Sequence, residues 1–500
     1  MELLGTFFRD IVQNMKFYFS KQNKQEYAMA PAQGITAGVS ILPDCSRKTM
    51  QRHYPESLKL RSVILIHRHG ARTPIGTLSE TDFGHFRWDF CRNVGTNLIK
   101  ILEGLNNAPH ENEDDAPMKP VHEKSASDES PFRIVFDKTK DHSPDEKLNP
   151  GAGNKKSPEV QFEIASKHDS CYLGQLTDIG YELMGALGKR LRELYVDKLG
   201  FLPTTYSPDA VHFHSTQYAR TIESVHAVAN SLYPNPETQH TIQTRSEKHE
   251  TFYPSPGCAR YREIRDAHIE KKIEEHKDTL DRIKGSVAKA IGVPKIEESF
   301  KRTWDVLHSR YAHGMDLPKG ITPLFVKKME RLVCDVWLGF LKTDEEAFRL
   351  GSGRLMQQIA ENIRKAHWAA TTPETNQTTH PKETAGKLTV HAEAPPLLSI
   401  LSGHDSTLCP LAINLLGIHT GNWPSFGSNI TFELLSEKTK KAGEVFYVRT
   451  RYNDRFFVLP KSAGHEHPTD KTLCRMSRFL EICDDATPKN YEEECGPKNK

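Results

Sequence analysis

No apolar run in this 500-residue chain reaches the roughly eighteen residues that a membrane-spanning helix needs, so a membrane span is not expected. Excess charge of one sign is missing as well. The 67 Lys and Arg against 65 Asp and Glu leave +2 at pH 7, which excludes a strongly basic nucleic-acid binder as the default reading and leaves only a local patch open. Nine cysteines spread from Cys45 to Cys495 without a CxxC or a zinc-type pairing, so no metal is expected. Cys474, Cys483 and Cys495 lie close together; one disulfide among them and unpaired thiols both fit. The N-terminus lacks the uninterrupted apolar stretch of a secretory signal, because Glu2, Arg9, Asp10 and Lys16 break it; a short amphipathic helix or a poor mitochondrial presequence remains. Mean hydropathy is −0.59, low for a compact enzyme, and implies that part of the chain is solvated.

What is present is a repeated unit of strand, polar turn and helix. Residues 61–67 form a continuous β-branched and aliphatic run of the kind buried on both faces of a parallel sheet, and end at Arg68-His69-Gly70. Residues 211–214 predict a second such strand, followed by Ser215 and a helix bearing Arg220. A third, 397–401, ends at Gly403-His404-Asp405 and leads into an apolar helix over 408–416. Between the first two, Thr177 is the expected N-cap of a helix whose buried face is Ile179, Leu183, Leu187, Leu191 and Leu194. The fold class is α/β, a mainly parallel sheet flanked by helices, with an all-α lobe inserted at 258–370, where long charged helical patterns replace strand signals. The expected boundaries are an N-terminal extension 1–58, a core of 59–257 and 387–460 interrupted by a polar, disordered insertion 106–165, a linker 371–386 and a polar tail 461–500. Ligands of open α/β sheets bind at the carboxyl ends of strands, so the three polar turns should converge on one site.

The segment Arg68-His69-Gly70-Ala71-Arg72-Thr73-Pro74 carries the most information. Five fixed residue types arise by chance in a chain of this length with odds on the order of one in ten thousand. Two arginines four apart at the start of a helical turn would point to one side, and Gly70 permits close approach of backbone and anion. A histidine between two guanidiniums resists a further positive charge, so its imidazole stays neutral and nucleophilic. The combination is a trap for a dianion with a nucleophile inside it.

With Gly174-Gln175-Leu176-Thr177 before a helix, Ser215-Thr216 followed by Arg220-Thr221, and His404-Asp405 opening a helix, all in order, the chain resembles the histidine acid phosphatase family. That resemblance covers roughly residues 60–460. It implies a phosphoglycerate mutase-like fold and hydrolysis of phosphomonoesters through a phosphohistidine. His69 would be the nucleophile, Asp405 the proton donor, and Arg68, Arg72, Arg220 and His404 the phosphate-binding residues, without a cofactor. One departure is His214, where the family usually has arginine.

Segments such as 187–192 and 416–424 are similar to the lysophosphatidic acid phosphatase type, which implies a lipid monoester substrate, peripheral membrane contact and a mitochondrial or cytoplasmic location; a secretory or lysosomal route stays open. The rival readings are a phytase-like or broad-specificity acid phosphatase, and a catalytically silent scaffold that binds phosphate or inositol phosphates. Retention of both His69 and Asp405 argues against the scaffold, because binding alone needs neither a nucleophile nor a proton donor.

Overall fold

The computed structural model describes residues 44–78, 88, 90–91, 132–136, 171–234, 236–247, 249–372, 395–418, 421–440 and 443–497. Most of the N-terminal extension, of the 106–165 insertion and of the 371–386 linker lies outside the described residues.

A nine-stranded sheet organises the described residues. One half is parallel and comprises β1 (Leu58–Arg68), β2 (Phe132–Phe136), β3 (Val211–Ser215), β4 (His240–Thr244) and β5 (Leu398–Gly403), in the order β2-β4-β3-β5-β1. The other half continues antiparallel from β1 through β6 (Asn429–Thr439), β7 (Gly443–Tyr452) and β8 (Arg455–Phe457), with β9 (Leu473–Arg475) also paired to β7. The strand at 132–136 corrects the reading of 106–165 as disordered throughout: Phe-Arg-Ile-Val-Phe is an edge strand that pairs with β4. Five residues without a flanking period gave too short a signal to stand out from the polar sequence around them.

Central strands are apolar on both sides because helices cover both faces. Val63, Ile64, Leu65 and Ile66 are at most 2% exposed. Helix α2 (Asp178–Leu191) packs on α3 (Ala219–Leu232), and α3 lies over β3, β4 and β5. Thr177 caps α2 as expected, its hydroxyl accepting from Gly180 N at 3.1 Å. Gly70 and Gly180 are forced by contact rather than by dihedral. A Cβ on Gly70 would sit 2.3 Å from Gly180 O, and one on Gly180 would sit 2.0 Å from Ala71 O, so the Arg-His-Gly turn rests backbone to backbone on the first turn of α2. The close approach predicted for Gly70 is therefore to another glycine.

The helical lobe is α4 (Ala259–Ile291), α5 (Phe300–Ala312) and α6 (Pro323–Leu338) around a core that includes Trp304, Leu307, Met329 and Val333. Its lower boundary differs from the expected 370. Helix α7 (Glu345–Thr371) leaves the lobe and lays Leu355, Met356, Ile359 and Ile363 on the sheet against Ile64, Ile66 and Phe432. A helical period does not say which layer a helix joins, and that is why the sequence ran α7 together with the lobe.

Residues 461–497 are not a trailing tail either. They supply β9, then α9 (Met476–Ala486), whose Phe479, Ile482 and Cys483 join the same core as α7, and α10 (Tyr491–Cys495). Cys495 is bonded to Cys258, and a second disulfide joins Cys91 to Cys171, while Cys474 and Cys483 are buried free thiols. The Cys258–Cys495 bridge spans 237 positions, for which loop entropy gives a stabilisation of up to about 5 kcal/mol. The Cys258→Ser/Cys495→Ser double variant is expected to show a clearly lower melting temperature; coincident unfolding curves would mean that packing of α10 alone holds this end of the chain.

Candidate active site

The carboxyl ends of β1, β3 and β5 are adjacent, and their turns converge as expected. His69 follows β1 and is held through its backbone by Gly403 O at 3.0 Å and by Gly427 N at 3.1 Å. Its ring is 2% exposed, and Nδ1 lies 2.8 Å from Gly70 O. A carbonyl only accepts, so Nδ1 carries the hydrogen and Nε2 presents a lone pair. Burial, and then Arg220, Arg68 and Arg72, hold its pKa well below the ordinary histidine value. The neutral imidazole predicted between guanidiniums is there, with burial as the larger cause.

The arginines reach the site without the helical turn expected to begin at them; Arg72 instead forms an isolated bridge with Leu176. Arg68 is buried, its guanidinium 4.2 Å from the Phe426 ring, Nη1 donating to Pro424 O and Nη2 pairing with Asp405 Oδ2 at 3.0 Å. Arg72 makes a two-point pair with Asp305 of α5, at 2.8 and 3.3 Å, and Asp305 Oδ2 also accepts from Ile75 N at 2.9 Å. Burial would raise the Asp305 pKa, but Arg72 and the Ile75 N–H outweigh it and hold the group ionised. Arg220, in the first turn of α3, stands 4.6 Å over the Tyr218 ring and has no carboxylate within ion-pair distance among the described residues. Burial and then Arg72 bring its pKa down to about 10, which leaves it charged at working pH.

His404 caps α8 (Asp405–Pro410), with its backbone N–H donating to Thr407 Oγ1 at 3.0 Å. Arg220 Nη2 approaches His404 Nδ1 at 3.5 Å, and Thr216 Oγ1 is 3.0 Å from Nε2. Because arginine only donates, Nδ1 is the acceptor and Nε2 holds the hydrogen. Asp405 accepts at Oδ2 from Trp423 Nε1, 3.0 Å away, and at Oδ1 from Ser406 N at 2.8 Å. Burial would raise its pKa, yet Arg68, Lys301, Trp423 and Arg72 hold it well below the usual carboxylate range. With both histidines neutral, the cations Arg68, Arg72, Arg220 and Lys301 less the anions Asp305 and Asp405 leave two positive charges, which matches a phosphate dianion.

Asp305, Lys301, Trp423 and Thr216 were not legible as site residues. Trp423 stands outside the motifs, and Asp305 is one of many carboxylates in the charged helical lobe. Only the tertiary fold brings α5 beside Arg72. His214 is buried in β3, with Nε2 3.5 Å from Glu250 Oε2 and its ring 4.9 Å from Phe252. A cavity of about 600 Å³ runs outward from Arg220, His404 and Asp405, and is walled by Tyr261, Ile269, Trp337, Leu338 and Phe340 with Arg262 and Arg265 beside them.

A mixed α/β sheet that gathers a neutral histidine, three arginines and a carboxyl at its strand ends defines a phosphoric monoester hydrolase. The chain belongs to the histidine phosphatase superfamily (branch 2), whose family model matches residues 59–453. Among its relatives, counting factor 60 of Dictyostelium discoideum is 24% identical over 88% of this chain and 89% of its own length. Lysophosphatidic acid phosphatase type 6 of Pongo abelii is 28% identical over 67% of this chain and 72% of its own, and lysosomal acid phosphatase of Bos taurus is 26% identical over 64% and 72%. The apo phytase of Hafnia alvei superimposes with a TM-score of 0.52 over 89% of this chain and 100% of that one at 13% identity, a likeness of fold.

Proposed function

We propose that His69 Nε2 attacks phosphorus in line, forming the N–P bond as the ester P–O bond breaks, and that Asp405 gives a proton to the departing alkoxide. Water then attacks the phosphohistidine as the N–P bond breaks, with the Asp405 carboxylate taking its proton; that proton leaves with the product phosphate, which returns both groups to their starting state. The observation that carries this reading is the His69 tautomer: Nδ1 is committed to Gly70 O, and the free lone pair sits among Arg68, Arg72 and Arg220. Those arginines bind the phosphoryl oxygens, and the Nε2–H of His404, 3.0 Å from Thr216 Oγ1, is shared with one of them. An ionised Asp405 needs a proton before it can act as an acid, and a phosphomonoester monoanion entering the site supplies one.

For the substrate, the apolar wall of Ile269, Trp337, Leu338 and Phe340 beyond Asp405 favours a leaving group with an acyl or other apolar tail, and so a lysophosphatidic acid-like monoester. Relatives that carry that name support the same reading. Ile75 and Leu173, 46% and 40% exposed on either side of Gly174 near Arg220, are candidates for peripheral contact with a membrane. Arg262 and Arg265 on the same cavity favour the phytase-like alternative. For location, two disulfides favour an oxidising compartment, and hence the secretory route, over the cytosol. The sequence holds two glycosylation triplets, Asn376-Gln377-Thr378, which lies outside the described residues, and Asn429-Ile430-Thr431, whose asparagine is fully buried in β6.

Phosphate release from lysophosphatidic acid, phytate and p-nitrophenyl phosphate between pH 4 and 8 tests the reading. His69 is held well below the ordinary histidine value, so its titration does not cause the fall toward alkaline pH. The rate constant kcat/KM is expected to fall about tenfold per pH unit above the second ionisation of the substrate, about 6. A preference for phytate would move the substrate to the alternative, and binding of phosphate without turnover on any ester would leave a silent scaffold.

A further inference from the structure

The two oxygens of Asp405 are not equivalent. Oδ2 accepts from Trp423 Nε1 at 3.0 Å and is ion-paired with the Arg68 guanidinium, whose Nη2 stands 3.0 Å away, whereas Oδ1 accepts from Ser406 N at 2.8 Å. A proton on Oδ2 would compete with the indole N–H and face the Arg68 cation, whereas Oδ1 has only a backbone N–H and keeps a lone pair for the proton. An indole N–H donates and cannot accept, so Trp423, unlike a hydroxyl, cannot turn round and let Oδ2 carry the hydrogen. The indole is also fixed. Trp423 N donates to Glu330 Oε1 at 2.9 Å, Glu330 is 2% exposed and paired with Lys327 at 2.8 Å, and the ring lies 5.3 Å from that of Trp304.

We propose that Trp423 is a positioning residue for the proton transfer: with Arg68 it closes Oδ2 and commits the transferable proton to Oδ1. This rests on the reading of Asp405 as the acid and base of the reaction. The charged and titratable groups facing Asp405 are Arg68 from the end of β1, Arg72 from the turn after it, Arg220 from α3, Lys301 from α5, and His404 and Cys409 from its own segment. All four cations favour the carboxylate, as does the indole N–H. Loss of that N–H therefore moves the carboxyl toward its protonated form and, at the same time, lets the proton settle on the wrong oxygen.

The test compares Trp423→Phe with the wild type on lysophosphatidic acid, whose alkoxide must be protonated to leave, and on p-nitrophenyl phosphate, whose phenolate leaves readily. Loss of one hydrogen bond to a charged group is expected to lower the alkyl-to-aryl ratio of kcat about tenfold. The alkaline limb of kcat for the alkyl ester is expected to move to higher pH. Benzothienylalanine at position 423 keeps the shape of the indole and lacks only the N–H, so it should reproduce both changes even if Trp423→Phe folds poorly. Equal losses on both esters, or an unmoved ratio and limb, would overturn the proposal. Asp405→Asn separates the two levels: if it too leaves the ratio unchanged, the acid role of Asp405 has failed, whereas a collapsed ratio in Asp405→Asn alone confines the failure to Trp423.

Discussion

His69→Ala is expected to lower kcat on every phosphomonoester by at least about ten-thousandfold, because it removes the atom that forms the covalent intermediate and leaves water as the only nucleophile. The rest of the site should survive the change. His69 sits in a backbone cradle made by Gly403 and Gly427, and its ring contributes no ion pair, so Arg68, Arg72, Arg220 and His404 keep their partners. Binding of a phosphate analogue such as vanadate or tungstate is therefore expected to persist, measured by calorimetry, while alkali-quenched mixtures with labelled substrate lose the protein-bound phosphate seen in the wild type. Retained turnover in His69→Ala would rule out the phosphohistidine and point to direct attack by water.

Asp405→Asn is expected to cost about a thousandfold on an alkyl ester such as lysophosphatidic acid and about tenfold on p-nitrophenyl phosphate. The difference follows from the leaving groups: an alkoxide is too basic to depart unprotonated, whereas nitrophenolate is not. Asparagine keeps the shape and can still accept from Trp423 through its carbonyl, so besides the bond from Ser406 N the substitution removes only the proton and the charge. It also removes one of the two negative charges that balance the site, and tighter retention of product phosphate should accompany the slower chemistry. The leaving-group slope of kcat/KM across a series of esters is the measurement. Parallel losses across the series would assign the proton to another donor.

The parallel half of the sheet was legible because β1, β3 and β5 are buried on both faces, and such strands must be apolar at every position; their polar ends then stand out. The same contrast marked Arg68, His69, Arg72, Arg220, His404 and Asp405 as one group. The antiparallel half was less visible. In β7, Arg449 and Arg451 are fully buried but paired with Glu433, Asp470 and the Tyr195 hydroxyl, so a core strand carries two arginines and reads as surface. The same limit hid Asp305 and Trp423. Each acts through a partner more than 15 residues away, and no local period or motif records that meeting.

The two disulfides bear on connectivity as well as on stability. Cys91–Cys171 brackets the polar stretch that includes 106–165, and Cys258–Cys495 brackets the linker 371–386. Each long polar segment is thus a closed loop in the covalent graph of the molecule. A protease that cuts either segment, or both, leaves every fragment attached to the rest, and the site residues on β1, α3 and α8 stay on one covalent body although they come from different pieces of chain.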